Sequence, residues 1–114
     1  MSELFVTRNT VYDMMYNSMV MAATLMPSDV KSTLLEYLDR ERYEIAKLHL
    51  ETIVRNCELS EKEGRLICPD TGSPLYYVRA GDNVKIEGGF STLYEVSRDA
   101  IKKATTNARL RPNM

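Results

Sequence analysis

The five residues from Cys68 to Gly72 bring together side chains that could do chemistry. A cysteine thiolate is a soft metal ligand, and a carboxylate such as that of Asp70 can move a proton. The Thr71 hydroxyl can hydrogen-bond a substrate, and Gly72 permits a close approach of the backbone. The same residue types are also ordinary turn formers, so the pattern alone favours a structural turn.

Two further side chains are weaker candidates for chemistry. His49 lies between two leucines in a helical stretch, which predicts a packing or hydrogen-bonding role because a lone histidine needs partners to do chemistry. Cys57 falls on an apolar stripe of the same stretch and is expected to be a buried, small hydrophobic residue. Two cysteines without a CxxC pair predict neither a disulfide framework nor a closed zinc site, and they favour a reducing cytoplasm.

Length and composition bound the class of protein. The chain has 114 residues, of which 44% are hydrophobic and 27% charged, with a net charge of −1. This length allows one domain with one modest core. Near-neutral charge without a basic cluster argues against nucleic-acid binding. The sequence has no apolar run of about 20 residues and no secretory signal pattern, so we expect no membrane span and a cytoplasmic protein.

Two helical regions are predicted in the first half of the chain. Residues 5–26 form a weak helical pattern, and the stretch from Val30 to Leu59 is strongly helical, with Ser28 as its expected N-cap. The charged residues 39–42 could mark a bend, although without Pro or Gly both one helix and two remain possible. Gly64 is a helix-stop signal.

The second half is predicted to contain a small strand–turn–strand element and a last helix. The apolar runs 75–78 and 84–86 are β-prone and are separated by turn residues. Ser91 is expected to cap a helix that extends to about Asn107 and buries Leu93, Val96, Ala100, Ile101 and Ala104. The predicted fold class is therefore α+β and mainly helical.

Methionines are concentrated in the first helix, where five of the seven lie between Met14 and Met26. Such a row usually packs in a core, but it could also form a docking face for another chain. A rival hypothesis is therefore a non-catalytic helical interaction module, with Met14, Met15, Met19 and Met21 as its partner face and residues 68–72 as a simple turn.

The surroundings of Cys68 resemble a known family. The run from Ile67 to Val78, followed by Gly81, resembles the Cys-Gln-Asp-Thr-Gly segment of the iron–sulfur hydro-lyases, namely the class I fumarases and L(+)-tartrate dehydratases. Upstream, residues 44–56 look like the family's amphipathic helix that ends in Asn. Downstream, Ala104-Thr105 and residues 110–114 look like its Ala-Thr and Leu-Arg-Pro-Asn segments. The resemblance covers about residues 28–114 and corresponds to the N-terminal part of the α-type region.

This resemblance implies a role for each matched residue. Cys68 would be one of three thiolates holding a [4Fe–4S] cluster, whose fourth iron, without a protein ligand, binds the substrate hydroxyl as a Lewis acid. Asp70 would be the catalytic group that moves or positions the proton of the leaving or attacking water. Thr71 and the Gly72 backbone would orient a small dicarboxylate substrate, and Arg111 would clamp one of its carboxylates. Without the family, Arg111 is simply an exposed arginine.

Two departures from the family pattern matter. Pro69 replaces the Gln of many members, so any substrate contact from that side chain is absent. The sequence also stops at Met114, inside a motif that continues in relatives. Residues 1–114 are therefore expected to be a single domain, the N-terminal fragment of a larger fumarase-type α subunit.

The expected reaction of the complete enzyme is reversible hydration of fumarate to malate, with L(+)-tartrate dehydration as the alternative. The fragment is expected to be inactive alone, because one cysteine cannot hold a four-iron cluster. Its expected partners are the remainder of the α subunit and a β subunit or domain, within a homo- or hetero-oligomer.

Overall fold

The structure is a computed structural model that describes residues 3–70 and 72–111. Most of these residues are helical, and a short two-stranded sheet accompanies the helices. The predicted class, α+β and mainly helical, is confirmed. The elements in chain order are β1 (Leu4–Val6), α1 (Arg8–Thr24), α2 (Ser28–Arg40), α3 (Glu44–Glu63), β2 (Val84–Ile86) and α4 (Ser91–Asn107).

The hydrophobic core lies between α1 and α4. Its buried centre is formed by Val11 and Met15 of α1 and by Val96 and Ala100 of α4. Small residues at the α4 contact allow the two helix backbones to approach closely, which increases the number of favourable van der Waals contacts. The predicted inner face of α4 is confirmed at Val96, Ala100 and Ala104, which are buried, whereas Leu93 and Ile101 are half-buried.

The strand pairing differs from the prediction. The run 75–78 is not a strand, and β2 instead pairs in parallel with β1, so that Leu4 lies opposite Val84. The first helix accordingly begins at Arg8 and not at residue 5. The Thr7 side chain accepts a hydrogen bond from the Thr10 backbone N–H at 3.2 Å, which caps α1 and separates it from the strand.

The charged segment after α2 breaks the predicted long helix into two. Glu41 ends α2, and its carboxylate accepts hydrogen bonds from the backbone N–H groups of Arg42 and Tyr43, each at 2.8 Å. This side chain satisfies backbone donors that a continuous helix would otherwise satisfy, so no Pro or Gly is needed. Ser28 and Ser91, predicted as N-caps, are instead the first residues of their helices.

The α2–α3 pair makes the molecule elongated. Its extents are 56 × 36 × 23 Å and its radius of gyration is 18.1 Å, whereas a compact domain of this size would have a radius of about 13 Å. α2 packs mainly against α3 and contains no buried residue. No helix in the described part of the chain is long and apolar enough to cross a membrane.

Candidate functional site

Cys68 and Asp70 open into the same cavity. This cavity has a volume of about 530 Å³ and lies between α1 and the segment that follows Cys68, which is within the range of about 300–1,000 Å³ typical of small-molecule sites. Ala22 and Ala23 of α1 line it on one side. The Cys68 thiol is free and exposed, so it is not enclosed by the fold.

The chain enters this site through a left-handed turn at the end of α3. Gly64 has a φ of 62°, and the Arg65 backbone N–H donates to the Ser60 carbonyl at 3.0 Å. This is a Schellman arrangement, which satisfies a carbonyl of the last helical turn and reverses the chain direction. The predicted helix stop at Gly64 is therefore confirmed, and the chain that follows it reaches the cavity at Ile67 and Cys68.

Three hydrogen bonds then hold the two residues that precede Cys68. The Ile67 backbone N–H donates to the Ala23 carbonyl of α1 at 3.0 Å. The Asn56 side-chain amide donates to the Ile67 carbonyl at 2.8 Å, and the Ser60 hydroxyl donates to the Leu66 carbonyl at 3.1 Å. No sequence pattern predicted a functional role for Ser60, and Asn56 was identified only as the end of a helix resembling that of the family.

A second left-handed turn, at the end of α4, leads to Arg111. Arg109 has a φ of 55°, and the Leu110 backbone N–H donates to the Thr105 carbonyl at 2.9 Å. This is again a Schellman arrangement, here built on a non-glycine residue. Leu110 is only 5% exposed and lines the cavity that Cys68 and Asp70 share. Arg111, which is exposed, therefore follows directly after a cavity residue.

The remaining predicted substrate residues are placed as follows. Gly72 has a φ of 59°, a conformation that an L side chain rarely adopts, and it lies in the exposed loop after Asp70. Thr71 lies outside the described residues, as does the end of the downstream segment, residues 112–114.

Tyr76 ties the loop after Gly72 to α1. Its hydroxyl donates to the Met15 carbonyl at 2.9 Å, and its ring packs against the α1–α4 core. Burial raises the pKa of the Tyr76 phenol above its usual value near 10. The β-prone run 75–78 was the sequence signal at this position, and it was misassigned because Tyr76 is fixed by packing and not by strand pairing.

Tyr76 predicts a loss of stability at alkaline pH. Because its folded-state pKa is raised above 10, its contribution is complete below pH 10 and is lost as the pH rises through the folded-state pKa. We expect Tyr76→Phe to lose about 1 kcal/mol at pH 8, through the missing hydrogen bond, and to show a shallower decline above pH 10. Urea unfolding at pH 8 and at a pH above 10 measures the free energy of unfolding of each variant. Tyr77→Phe, at an 89% exposed neighbour, is the control, and an equal change in both variants would contradict the prediction.

The described residues can supply one ligand to a metal centre. No three His, Cys, Asp or Glu side chains come together within residues 3–70 and 72–111. Cys57 is buried on α3, as predicted, and is unavailable as a second ligand. A packing or hydrogen-bonding role was predicted for His49, and its exposure argues against the packing alternative. A single reachable thiol fits one position of a centre whose other ligands come from elsewhere.

The sequence of this chain matches a known protein family. The sequence model of the fumarate hydratase (Fumerase) family matches residues 12–114, which include all of α1 after Val11, all of α4 and the Cys68 segment. The chain therefore belongs to this family of hydro-lyases.

Individual relatives add detail. The chain is 34% identical over 93 residues to a protein of Methanocaldococcus jannaschii provisionally named L(+)-tartrate dehydratase subunit alpha, covering 82% of this chain and 32% of the relative. It is 31% identical over 106 residues to a provisionally named class I fumarate hydratase of Geobacillus stearothermophilus, covering 90% and 20%. It is 29% identical over 105 residues to the L(+)-tartrate dehydratase subunit alpha of Escherichia coli K12, covering 92% and 34%.

The chain thus spans about a third or less of the length of these relatives. Two of them are named as alpha subunits, a designation that implies a partner subunit in those proteins.

Proposed function

We propose that residues 1–114 form the N-terminal part of the α-type region of a [4Fe–4S] hydro-lyase that reversibly hydrates fumarate to malate. The observation that carries this proposal is that Cys68, which is exposed, and Asp70 line one cavity. A metal ligand and a proton-transfer group must face the same space to act on one substrate. Family membership supports the reaction class.

Cys68 is the proposed cluster ligand. Cys68 is exposed and lines the cavity, while the two preceding residues are held by hydrogen bonds to α1 and α3. A ligand with a fixed backbone loses less entropy when the metal centre binds. When bound, a [4Fe–4S] cluster held by three thiolates supplies a Lewis-acidic iron for the substrate hydroxyl.

Asp70 is the proposed catalytic residue. In hydration its carboxylate accepts a proton from the attacking water as the C–O bond forms, and the neighbouring carbon takes up a second proton as the C=C π bond breaks. In dehydration Asp70 returns its proton to the leaving hydroxyl as the C–O bond breaks, and the neighbouring carbon loses its proton. Thr71 and the backbone of Gly72 orient the dicarboxylate by hydrogen bonds. Arg111 binds a substrate carboxylate, because its planar guanidinium can donate two parallel hydrogen bonds.

L(+)-tartrate is the second candidate substrate. Two of the relatives described above carry the name L(+)-tartrate dehydratase subunit alpha, which favours this alternative. The kcat/KM values of the assembled enzyme for fumarate, malate and L(+)-tartrate distinguish the two. Fumarate and malate turnover at the higher kcat/KM supports fumarate hydratase, and a preference for tartrate replaces that proposal with the tartrate activity.

The interaction-module hypothesis has weaker support. Its four methionines do not share one face, because Met14 and Met21 are exposed while Met15 is buried in the core. Met19 lines the cavity that contains Cys68 and Asp70. The row is therefore divided among a surface, the core and the candidate site.

Other parts of the enzyme are proposed to complete this site. Leu75 and Tyr77 line the cavity although 73% and 89% of their surfaces are exposed, and large apolar side chains at a site are usually covered by a partner. The proposed partners are the remainder of the α subunit and a β subunit or domain, in a homo- or hetero-oligomer. We also propose a cytoplasmic location, which suits two free cysteines.

Reconstitution of the isolated chain tests whether residues 1–114 can hold a cluster without the rest of the enzyme. Because the described residues offer one reachable thiol, anaerobic incubation with iron and sulfide is expected to give no stable cluster absorption near ~400 nm. Iron and sulfide analysis after desalting provides the measurement. A stoichiometric four-iron cluster on the isolated chain would overturn the fragment proposal.

A further inference from the structure

We propose that Asn56 and Ser60 are positioning residues that fix the direction in which the Cys68 thiol leaves the backbone. This inference rests on the proposed function, because it assigns to these two side chains the placement of the cluster ligand. Neither residue lines the cavity of Cys68 and Asp70, so both act through the segment that precedes the cysteine.

The two side chains form a pair of donors along one face of α3. Asn56 and Ser60 are one helical turn apart, a spacing that places both on the same face. They donate to consecutive carbonyls, Asn56 to Ile67 at 2.8 Å and Ser60 to Leu66 at 3.1 Å. Residues 66–67 are therefore attached to the side of α3 at two successive peptide units.

A third hydrogen bond attaches the same segment to a second helix, α1. The Ile67 backbone N–H donates to the Ala23 carbonyl of α1 at 3.0 Å. Both polar backbone groups of Ile67 are thus engaged, one with α1 and one with α3. Rotation of the peptide that leads into Cys68 would break at least one of these bonds, at a net cost of about 1 kcal/mol each.

Helix capping does not account for Asn56. The end of α3 is closed by Gly64 and by the Arg65–Ser60 backbone bond, both independent of the Asn56 amide. Asparagine is also a weaker helix former than alanine. The Asn56 amide contributes instead to the loop 11 positions later, where it holds the carbonyl of the residue immediately before Cys68.

Placement of this kind matters for a metal ligand. Ligating atoms must be held within about 0.5 Å of the productive geometry by supporting hydrogen bonds. Loss of such a supporting partner typically costs 10–100-fold in metal affinity or activity. The Asn56–Ser60 pair gives Cys68 this support without contacting the substrate space.

Hydrogen exchange of the chain tests whether Asn56 holds the segment that precedes Cys68. Asn56→Asp keeps the shape of the side chain and removes the donor, while Asn56→Ala removes it without adding charge. Each variant is expected to raise the exchange rate of the Ile67 amide by about five- to tenfold, the equivalent of one lost hydrogen bond. Thr52→Ala is the matched control, because the Thr52 hydroxyl donates only to Leu48 within α3, at 2.8 Å. Equal exchange in Asn56→Ala and Thr52→Ala overturns the inference.

Iron retention by the assembled enzyme tests whether this hold on the segment supports the cluster ligand. In the subunit that carries this chain, Asn56→Ala and Ser60→Ala are expected to speed iron loss from the cluster to a chelator about 10–100-fold. Thr52→Ala should match the unsubstituted subunit. A cluster unaffected by either variant overturns the positioning role alone. Absence of any cluster in the unsubstituted subunit overturns the proposed function, and the ligand-positioning role with it.

Discussion

Replacing Cys68 by serine is expected to abolish cluster-dependent hydration in the assembled enzyme. Serine preserves the size of the side chain, but its hydroxyl is a hard, weakly acidic group that replaces a soft thiolate poorly as an iron ligand. Because the Cys68 thiol is exposed, its loss should remove the ligand with little change in stability. Iron content, absorption near ~400 nm and fumarate hydration are measured together, and all three should fall to background.

Cys57 provides the matched control for this substitution. It is buried on α3 and lies on the same chain, so Cys57→Ala removes a sulfur without removing the proposed ligand. The expected result is a loss of about 1 kcal/mol of unfolding free energy, typical of a small buried truncation, with cluster and activity retained. If Cys57→Ala lost the cluster and the activity while Cys68→Ser kept both, the ligand assignment would be wrong.

Replacing Asp70 by asparagine is expected to slow hydration by about 10²–10⁴-fold, the usual contribution of a positioned proton-transfer group. Asparagine has nearly the same shape but cannot accept a proton from water at its amide oxygen. Cluster content should be unchanged, since Asp70 is not a proposed ligand. The measurement is kcat normalised to bound iron, which separates proton transfer from cluster loss.

Asp99 is a suitable control for Asp70. It is an exposed carboxylate on α4 and does not line the cavity, so Asp99→Asn should keep the unsubstituted rate. Unchanged rates in both Cys68→Ser and Asp70→Asn would argue against the hydro-lyase site and in favour of the interaction module.

The helices could be predicted wherever a local pattern determines them. The apolar spacing of α4 identified Val96, Ala100 and Ala104, and Gly64 marked the end of α3. The break at Glu41 could not be decided, because it depends on a side chain that accepts two backbone hydrogen bonds. The pairing of β1 with β2 was missed because strand partners distant in sequence leave no local periodic signal.

The candidate site was predicted only in part for a similar reason. Cys68 and Asp70 were proposed because a short motif carries both, and both line one cavity in the structure. Asn56 and Tyr76 were missed as supporting residues because their partners lie 11 and 61 positions away. The left-handed turn at Arg109 could not be predicted either, because a positive φ is uncommon at non-glycine residues and the sequence does not mark it.

The parallel pairing of Leu4–Val6 with Val84–Ile86 sets an order of events during synthesis. The first strand leaves the ribosome without its partner, and its backbone donors and acceptors stay in water until the later strand emerges. The α2–α3 pair depends on neighbouring segments and can form early, whereas α1 must wait for α4 to cover its apolar face. Slowing translation after Glu63, the last residue of α3, should therefore prolong a nascent state in which the apolar side chains of Val11 and Met15 are exposed and accessible to chaperones.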